Sequence, residues 1–322
     1  VGVLDLPGFS RFHLSGSGCS IWLNALIVGS LPKVGKMNLA YFADERGRVL
    51  TEMSLMRYGE EDFILITAAS AQWHDYEFLK GNLPLDGKLS LVDISKEFST
   101  LIVTGPKSRE LLKRVTVADL EKPWLSIQKT KIDAYDVNIA RVSFAGELGW
   151  EIHADNKSIK PIFEKIIEYG AKPFGMFALN SLRIEKGYKT WKGDLSTDYS
   201  VLESGLERFL RLDKPQDFPG KSALLVEKQR GAQKRAVTLL LDLKEFDAPY
   251  MSTLWKNSQI VGEVTSGAWG YRVKKSIALA MIRSELAEAG QELEVEVFGQ
   301  RVSAVVQDGS ALWDPKNERI TA

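Results

Sequence analysis

The sequence predicts an α+β protein whose C-terminal part is entirely β. In the first part of the chain, apolar β-branched runs alternate with segments of helical periodicity. A polar stretch at 226–233 follows, and six short strand-like runs at regular spacing come after it. The 322 residues suffice for about two domains. We therefore expect one domain at 1–228 and a second at 234–322, the second a β-barrel or jelly-roll.

Composition narrows the classes of protein to which the chain can belong. Lys and Arg number 42, as do Asp and Glu, so no net charge favours nucleic acid or a membrane surface. No apolar run approaches the roughly 20 residues of a membrane-spanning helix. The single cysteine, Cys19, excludes an intrachain disulfide and favours a reducing compartment. We expect a cytoplasmic protein, or one of the mitochondrial matrix if eukaryotic.

Metal binding is not expected. The three histidines, His13, His74 and His153, are scattered and show no metal-ligand spacing. Gly16-Ser17-Gly18 precedes a predicted helix at 19–28, and such a segment can either cap a helix or cradle a phosphate. It lacks the lysine of a P-loop and the full glycine pattern of a dinucleotide site.

The N-terminal elements are predicted from short apolar runs separated by turn residues. Strands are expected at 1–6 and 9–14 around a turn at Pro7–Gly8, and a hairpin at 36–57 turns at 43–47. The nearly all-apolar run at 63–69 predicts a central strand, and a helix is expected at 71–79. Glu52 interrupts the apolar return strand of the hairpin. Its carboxylate lies either on a wet strand face or in a pocket that raises its pKa.

The middle and C-terminal elements follow from the same patterns. Helices are predicted at 107–114 and 158–169, the second closed by Gly170. Further strands are predicted at 89–95, 99–104, 129–132 and 135–144. The six C-terminal strands are predicted at 235–241, 252–256, 259–265, 276–282, 292–298 and 300–307.

The stretch 144–153, Phe-Ala-Gly-Glu-Leu-Gly-Trp-Glu-Ile-His, concentrates acids, aromatics and glycines. Side chains alternate along a strand, so Glu147, Glu151 and His153 are expected on one face and the apolar residues on the other. The two carboxylates would lie roughly 13 Å apart at about 3.3 Å per residue, too far to share a proton. They are either separate hydrogen-bond acceptors on a ligand-binding floor or parts of a solvated strand face.

The stretch 175–191 contains a predicted helix, marked by Met176, Leu179, Leu182 and Ile184, and carries a second group of candidates. Glu185 and Tyr188 are three residues apart and so would share a helix face. Near a helix C-terminus the helix dipole disfavours a carboxylate. Glu185 is therefore expected either to contact a ligand or to form an ion pair, for which Arg183 and Lys186 are nearby.

Several motifs resemble the folate-dependent aminomethyltransferase family, which includes the T-protein of the glycine cleavage system. They are Gly-Glu-Leu-Gly-Trp-Glu at 146–151, the run 174–188, Leu-Glu-Ser-Gly-Leu at 202–206, Asp-Phe-Pro-Gly-Lys at 217–221 and the hairpin 44–52. The segments 73–75, 123–126 and 264–270 are most similar to the C-terminal folate-binding half of dimethylglycine and sarcosine dehydrogenases. The resemblance extends over essentially the whole chain, in order.

The resemblance implies a three-lobed fold around a central hole that holds tetrahydrofolate, with the C-terminal barrel as the third lobe. It implies capture of a one-carbon unit from a methylated amine, such as dimethylglycine or sarcosine, to give methylene-tetrahydrofolate. The catalytic carboxylate of the family corresponds to Glu52. The family usually has Asp there, and a displacement of about 1 Å can cost on the order of a hundredfold in rate.

The resemblance also implies which residues contact the folate. Glu151 matches the acid that recognises the pterin, and Lys214 lies near the basic residue that relatives place on the glutamate tail. Leu39 and Phe144 stand where relatives often have tyrosine. The complete set of implied cofactor contacts is Glu151, Ile152, His153, Glu185, Tyr188, Phe144, Leu39, Ser54, Ala68 and Lys214.

Three functions remain open from the sequence. The first is a tetrahydrofolate-binding transfer unit that serves a flavoprotein dehydrogenase domain or subunit. The chain lacks a dinucleotide-binding glycine fingerprint, so we expect no FAD site within it. The second is a stand-alone folate-dependent demethylase or T-protein-like transferase. The third is a non-catalytic folate-binding module, which Glu52 and Leu39 would permit.

Overall fold

Three β-sheets organise the computed structural model, which describes residues 1–6 and 8–322. Pro7, in the first predicted turn, lies outside the described residues. The strands are β1 (Gly2–Asp5), β2 (Phe9–Gly16), β3 (Lys36–Ala43), β4 (Val49–Gly59), β5 (Asp62–Ala68), β6 (Leu89–Asp93), β7 (Phe98–Thr104), β8 (Ile127–Ile132), β9 (Tyr135–Ala140), β10 (Gly149–Asp155), β11 (Lys172–Pro173), β12 (Lys234–Leu241), β13 (Thr253–Lys256), β14 (Gln259–Gly270), β15 (Lys275–Arg283), β16 (Glu292–Val297) and β17 (Gln300–Val306).

In the described residues, six α-helices and three short 3-10 segments accompany the strands. The helices are α1 (Cys19–Leu26), α2 (Gln72–Gly81), α3 (Ser108–Leu112), α4 (Ile159–Glu168), α5 (Met176–Glu185) and α6 (Lys221–Arg230). The 3-10 segments are Ala69–Ala71, Glu207–Phe209 and Ser284–Leu286.

The first sheet has the strand order β11-β1-β7-β10-β9-β8 and the second the order β3-β4-β5-β2-β6. The last six strands close into a barrel in the order β12-β15-β14-β13-β16-β17. The α+β prediction is confirmed, and the C-terminal part is a closed barrel rather than a jelly-roll.

Each N-terminal sheet buries one face under helices. On the second sheet, alternate residues such as Phe12, Phe42 and Leu55 form a core with side chains of α1 and α2. On the first sheet, Trp150 and Ile152 of β10 pack in a core with side chains of α3 and α4. Period-two alternation of the strands produces these covered faces.

The uncovered faces of the two sheets pack against each other. Met56 and Ile66 of the second sheet join one apolar cluster with Ile127 and Ala140 of the first. Strand alternation places Glu52 on the same face as Met56, while Glu151, directly opposite Ala140 on β9, lies on the facing surface. The fold therefore directs both candidate acids into the space between the sheets.

Helix α5 ends at Glu185, before Tyr188, because Gly187 closes it. Gly187 has φ +69°, and its N–H binds the Ile184 carbonyl at 2.9 Å. The N–H of Tyr188 binds the Arg183 carbonyl at 2.9 Å, which completes a Schellman motif. Tyr188 therefore follows the helix, and the prediction that it shares a helix face with Glu185 is wrong.

Strand β9 also ends earlier than predicted, at Ala140, and β10 begins only at Gly149. The segment between them contains Gly146 at φ +69°, a left-handed conformation that interrupts a strand. Glu147 thus precedes the strand instead of sharing its alternation. Its carboxylate accepts hydrogen bonds from Trp313 Nε1 at 3.0 Å and Arg272 at 3.2 Å.

Candidate functional site

Glu52 lies on β4 directly opposite Tyr41 of β3. Burial is the main reason that its pKa is raised from 4.5 to about 7, and the charge of Asp194 raises the pKa further. The nearby Tyr41 hydroxyl and Trp191 backbone N–H oppose this rise in pKa, as does the charge of Lys189. The sequence left open whether the Glu52 carboxylate lies on a wet strand face or in a pocket that raises its pKa. The structure supports the pocket.

Three other predicted contacts share the face of the sheet that carries Glu52. Leu39 and Ser54 are direct partners on β3 and β4, and Ala68 is the last residue of β5. Leu39 is 41% exposed, which leaves it accessible to a ligand. Together these residues form a mainly apolar surface beside the one carboxylate.

A loop after α5 supplies the polar surroundings of Glu52. The buried Asp194 receives Arg183 Nη1 at 2.7 Å and Thr265 Oγ1 of the barrel at 2.6 Å. The backbone N–H of Thr190 also donates to Asp194, at 2.9 Å. Asp194 therefore fixes the loop that presents Lys189 and the Trp191 N–H to Glu52.

Glu151 faces the second sheet from β10. Its carboxylate lies 3.3 Å from His153 Nε2 and close enough to Arg11 to raise the pKa of that guanidinium. Burial outweighs this effect and lowers the pKa of Arg11 to about 10. Among the described residues no N–H or O–H group donates a hydrogen bond to the Glu151 carboxylate. It is therefore an available acceptor between the sheets.

Beside His153 the two sheets line a partly open cavity of about 40 Å³. Three buried polar atoms without hydrogen-bond partners belong to its lining residues: Arg11 Nε, Asn138 Oδ1 and His153 Nε2. Thr100 Oγ1 fixes the other ring nitrogen of His153 at 2.9 Å. The cavity is large enough for about three water molecules, which would satisfy these atoms.

Phe144 and Tyr188 stack with their ring centroids 5.9 Å apart and their planes inclined by 12°. Both side chains are half-buried. Phe144 also packs in the cluster of Leu4, Ile102 and Leu179. This cluster lies beside Glu151, because Ile102 is the strand partner of Glu151 on β7. The pair thus forms an aromatic wall near the acceptor on β10.

Three predicted cofactor contacts have other roles in the structure. Glu185 is fully buried and accepts hydrogen bonds from Arg272 Nε, from Arg272 N at 2.7 Å and from Val273 N at 3.2 Å. Its carboxylate therefore anchors a turn of the barrel. Of the two predicted roles, the structure has the ion pair, and the partner is Arg272 instead of Arg183 or Lys186. We correct its assignment as a ligand contact.

Lys214 and Ile152 are corrected for similar reasons. Lys214 Nζ donates to the carbonyls of Asn24 at 2.7 Å, Ile27 at 2.5 Å and Gly29 at 3.2 Å. The three N–H bonds of the ammonium are thus used at the C-terminal end of α1. The side chain of Ile152 is fully buried in the core beneath the first sheet and points away from Glu151.

Sequence reasoning missed Arg11, Tyr41, Lys189 and Asp194. Arg11 could have been found, since an arginine inside the apolar strand 9–14 is as anomalous as Glu52 in its strand. Tyr41 becomes visible once the hairpin register pairs it with Glu52. Asp194 and Lys189 lie in a polar loop whose contacts are all long-range, so no local pattern marks them.

Neither a metal cluster nor a membrane span is found. No group of three or more His, Cys, Asp or Glu side chains suited to a metal occurs in residues 1–6 and 8–322. Within the same residues, no helix is long and apolar enough to cross a bilayer.

Comparison with known proteins identifies the family. Residues 1–214 match the model of the GCVT N-terminal domain, and residues 234–311 match the glycine cleavage T-protein C-terminal barrel domain. The chain therefore belongs to the glycine cleavage T-protein, or aminomethyltransferase, family, as the sequence motifs predict.

Two kinds of relative share this family. The mitochondrial dimethylglycine dehydrogenase of Rattus norvegicus is 33% identical over 99% of this chain, which spans only 38% of that protein. The aminomethyltransferase of Thermoanaerobacter pseudethanolicus is 30% identical over 95% of this chain and 84% of its own length. A crystal structure of aminomethyltransferase T from Bartonella henselae superposes with a TM-score of 0.88 at 22% identity, over 99% of this chain and 86% of that one.

Proposed function

We propose that this chain binds tetrahydrofolate between its two N-terminal sheets and transfers to it a one-carbon unit from a methylated amine such as dimethylglycine or sarcosine. The product would be methylene-tetrahydrofolate. The observation that carries the proposal is that Glu52 and Glu151 occupy the two sheet faces that pack on each other. Family membership supports the use of folate, and the similarity to dimethylglycine dehydrogenase supports the amine.

The residues present fit a flat ring that carries amide and amino N–H groups. Glu151 offers a carboxylate without a donor among the described residues, and a carboxylate can accept two hydrogen bonds from such groups. The stacked pair of Phe144 and Tyr188 and the surface of Leu39, Ser54 and Ala68 offer apolar contacts. Tetrahydrofolate, when bound, supplies the two nitrogens that accept the one-carbon unit.

Glu52 is the proposed catalytic group. With a pKa of about 7 its carboxyl can both hold and release a proton near neutrality, which suits a general acid–base. When ionised it also stabilises a cationic nitrogen next to it. Tyr41 lies directly opposite Glu52, and Asp194 fixes the loop that carries Lys189 and Trp191 near its carboxyl.

The amine must be oxidised before its methyl carbon can be transferred. We propose that a flavoprotein dehydrogenase domain or subunit performs that oxidation, since the chain spans 38% of the length of the dimethylglycine dehydrogenase it matches. The matched aminomethyltransferases, of which the chain covers 84%, support the second candidate, a stand-alone transferase. A non-catalytic folate-binding module is the third.

Calorimetric titration of tetrahydrofolate tests the proposal. Glu151→Gln is expected to weaken binding about 10- to 100-fold, because a charge-assisted hydrogen bond contributes roughly 1.5–3 kcal/mol. Glu294→Gln, on a half-exposed side chain of the barrel, is the matched control and should bind as the wild type does. Circular dichroism establishes that each variant is folded at the titration temperature. Undetectable binding to the wild type, or full affinity in Glu151→Gln, would refute the proposal.

Turnover separates the three candidates. Formation of methylene-tetrahydrofolate is measured with sarcosine and formaldehyde present together, and the rate is compared with that in protein-free buffer. The measurement is then repeated with a dimethylglycine-oxidising flavoprotein. A rate above buffer with the chain alone favours the stand-alone enzyme. A rate that requires the flavoprotein favours the transfer unit. Binding without any rate enhancement favours the non-catalytic module.

A further inference from the structure

Arg11 of β2 and Thr100 of β7 join the two N-terminal sheets through a hydrogen bond between buried side chains. The guanidinium of Arg11 donates to the carbonyls of Phe9 at 3.0 Å and Phe98 at 2.9 Å, and its Nη2 donates to Thr100 Oγ1. Arginine carries only donors, so the Thr100 oxygen can only accept in this contact. The hydroxyl proton of Thr100 must therefore point to another group.

His153 provides the acceptor for that proton. Thr100 and His153 are direct partners on β7 and β10, and Thr100 Oγ1 lies 2.9 Å from His153 Nδ1. No other described residue accepts a hydrogen bond from the Thr100 hydroxyl. If Nδ1 carried a proton, the hydroxyl oxygen would receive two donors and its own buried proton would have no acceptor, which is costly. The contacts therefore make Nδ1 the acceptor, and the proton of the neutral ring lies on Nε2.

The Nε2 nitrogen of His153 faces Glu151, which lies two residues earlier on the same face of β10. It is 3.3 Å from Glu151 Oε2, out of line for a hydrogen bond, and it is buried without a hydrogen-bond partner. In active sites such contacts often tighten only in the complex with substrate. An N–H at this position attracts an ionised carboxylate, whereas a bare nitrogen lone pair would repel it.

We propose that three residues form a positioning relay for Glu151: Arg11, Thr100 and His153. Arg11 turns the Thr100 hydroxyl towards His153, and the hydroxyl keeps the ring proton on Nε2. That N–H draws one oxygen of the Glu151 carboxylate towards it and leaves the other oxygen to accept hydrogen bonds from a ligand. The consequence for the ligand rests on the proposed function, in which Glu151 recognises the pterin, whereas the relay itself does not.

The opposite direction of control is the main alternative to the relay. A carboxylate also favours a proton on the nitrogen that it faces, so Glu151 could impose the tautomer on His153. The geometry favours control by Thr100, because its contact with Nδ1 has the length of an ordinary hydrogen bond, whereas the contact of Nε2 with Glu151 is longer and out of line. The two directions differ in what Glu151→Gln does to the ring.

Long-range proton–nitrogen NMR of the whole chain, with isotope-labelled histidine, tests the relay at about pH 8, where imidazole is ordinarily neutral. The chain has three histidines, so His153→Gln identifies the resonances of this one. His153 should show a single Nε2–H tautomer in the wild type and retain it in Glu151→Gln. Thr100→Val should move the Nδ1 resonance to that of an unbonded nitrogen, and Thr100→Ser should restore it. In the double variant with Glu151→Gln and Thr100→Val, both tautomers should be populated.

Titration of tetrahydrofolate measures the effect of the relay on Glu151. Thr100→Val should weaken binding about 3- to 10-fold, the range expected for loss of one hydrogen bond, and Thr100→Ser should recover most of the affinity. In a Glu151→Gln background Thr100→Val should change the affinity less than about twofold, because the relay acts through Glu151. Thr104→Val is the matched control, since it removes a hydroxyl on the same face of β7 that donates to the Leu148 carbonyl at 3.2 Å. It should bind as the wild type does, and circular dichroism establishes that each variant is folded.

Each other outcome has a definite meaning. A mixture of tautomers, or an Nδ1–H ring, in the wild type overturns the inference. Loss of the Nε2–H tautomer in Glu151→Gln alone also overturns it, because the acid would then fix the histidine. Equal weakening by Thr100→Val in both backgrounds, or by Thr104→Val, assigns Thr100 to general packing and overturns the inference as well. A Thr100-dependent Nε2–H tautomer in a chain that does not bind tetrahydrofolate would support the relay and refute the proposed function.

Discussion

Arg272 of the barrel encloses Glu185 at the C-terminal end of α5 by donating through both its backbone N–H and its side-chain Nε. The same guanidinium also donates to the carbonyls of Ala145 at 3.1 Å and Leu182 at 2.8 Å. One arginine thus joins the barrel to the helix and to the segment that leads into β10. Together with the Thr265–Asp194 and Arg183–Ser266 hydrogen bonds, this buried ion pair fixes the barrel against the candidate site.

Glu185→Gln should therefore destabilise the protein by about 1–3 kcal/mol, since it removes a charged acceptor of Arg272 while Glu147 still pairs with that guanidinium. Urea unfolding monitored by fluorescence measures the loss. Glu60→Gln removes a carboxylate that is 81% exposed and paired with Arg57, so it should cost at most about 1 kcal/mol. Equal effects of the two substitutions would contradict the structural role given to Glu185.

Glu52 should make stability dependent on pH. Its pKa is raised from 4.5 to about 7 in the folded chain, so its contribution is fully present below about pH 4.5 and is lost as the pH rises through 7. The free energy of unfolding of Glu52→Gln, taken relative to that of the wild type, should rise by on the order of 2–3 kcal/mol from pH 4.5 to pH 8. Urea unfolding at the two pH values measures this gain. Glu45→Gln, on the exposed turn of the same hairpin, is the control, and an equal gain there would refute the assignment.

The fold was largely predictable because periodicity and turn residues are local signals. Six C-terminal strands, the hairpin around Glu52 and the helix before Gly170 are found close to their predicted bounds. The predicted helix face shared by Glu185 and Tyr188 was wrong because Gly187 stops the helix partly through distant packing. A Cβ there would lie 2.2 Å from the carbonyl oxygen of Ser310, more than 100 residues away.

The candidate site was less predictable because the role of each side chain depends on contacts with residues that are distant in the sequence. Nothing near Glu185 in the sequence shows that Arg272 will occupy it, and nothing near Lys214 shows the three carbonyls that it binds. By contrast, strand alternation correctly placed Glu151 and His153 on one face and Trp150 and Ile152 on the other. Local geometry gives the direction of a side chain, whereas only the fold gives its partner.

Lys214→Met should lower stability without changing folate affinity. The ammonium holds three carbonyls at the end of α1, and the loss of these bonds should cost about 1–3 kcal/mol. Thermal unfolding measures the loss, with Lys33→Met at an exposed position as control. Tetrahydrofolate titration at a temperature where the variant is folded should give the wild-type constant. A tenfold weaker constant would restore the glutamate-tail contact that the resemblance implies.

Glu52→Asp should lower the rate of methylene-tetrahydrofolate formation, although the resemblance implies Asp at this position in the family. Tyr41 lies directly opposite Glu52 in the hairpin and influences the pKa of its carboxyl, as do Lys189 and Trp191 of the loop, and one methylene fewer withdraws the carboxylate by about 1 Å. A displacement of that size is expected to cost on the order of a hundredfold in the rate at saturating substrate. Tetrahydrofolate affinity should change little, since Glu151 lies on the opposite sheet. A faster Glu52→Asp enzyme would show instead that the loop 189–194 accommodates the shorter acid and that the native glutamate limits catalysis.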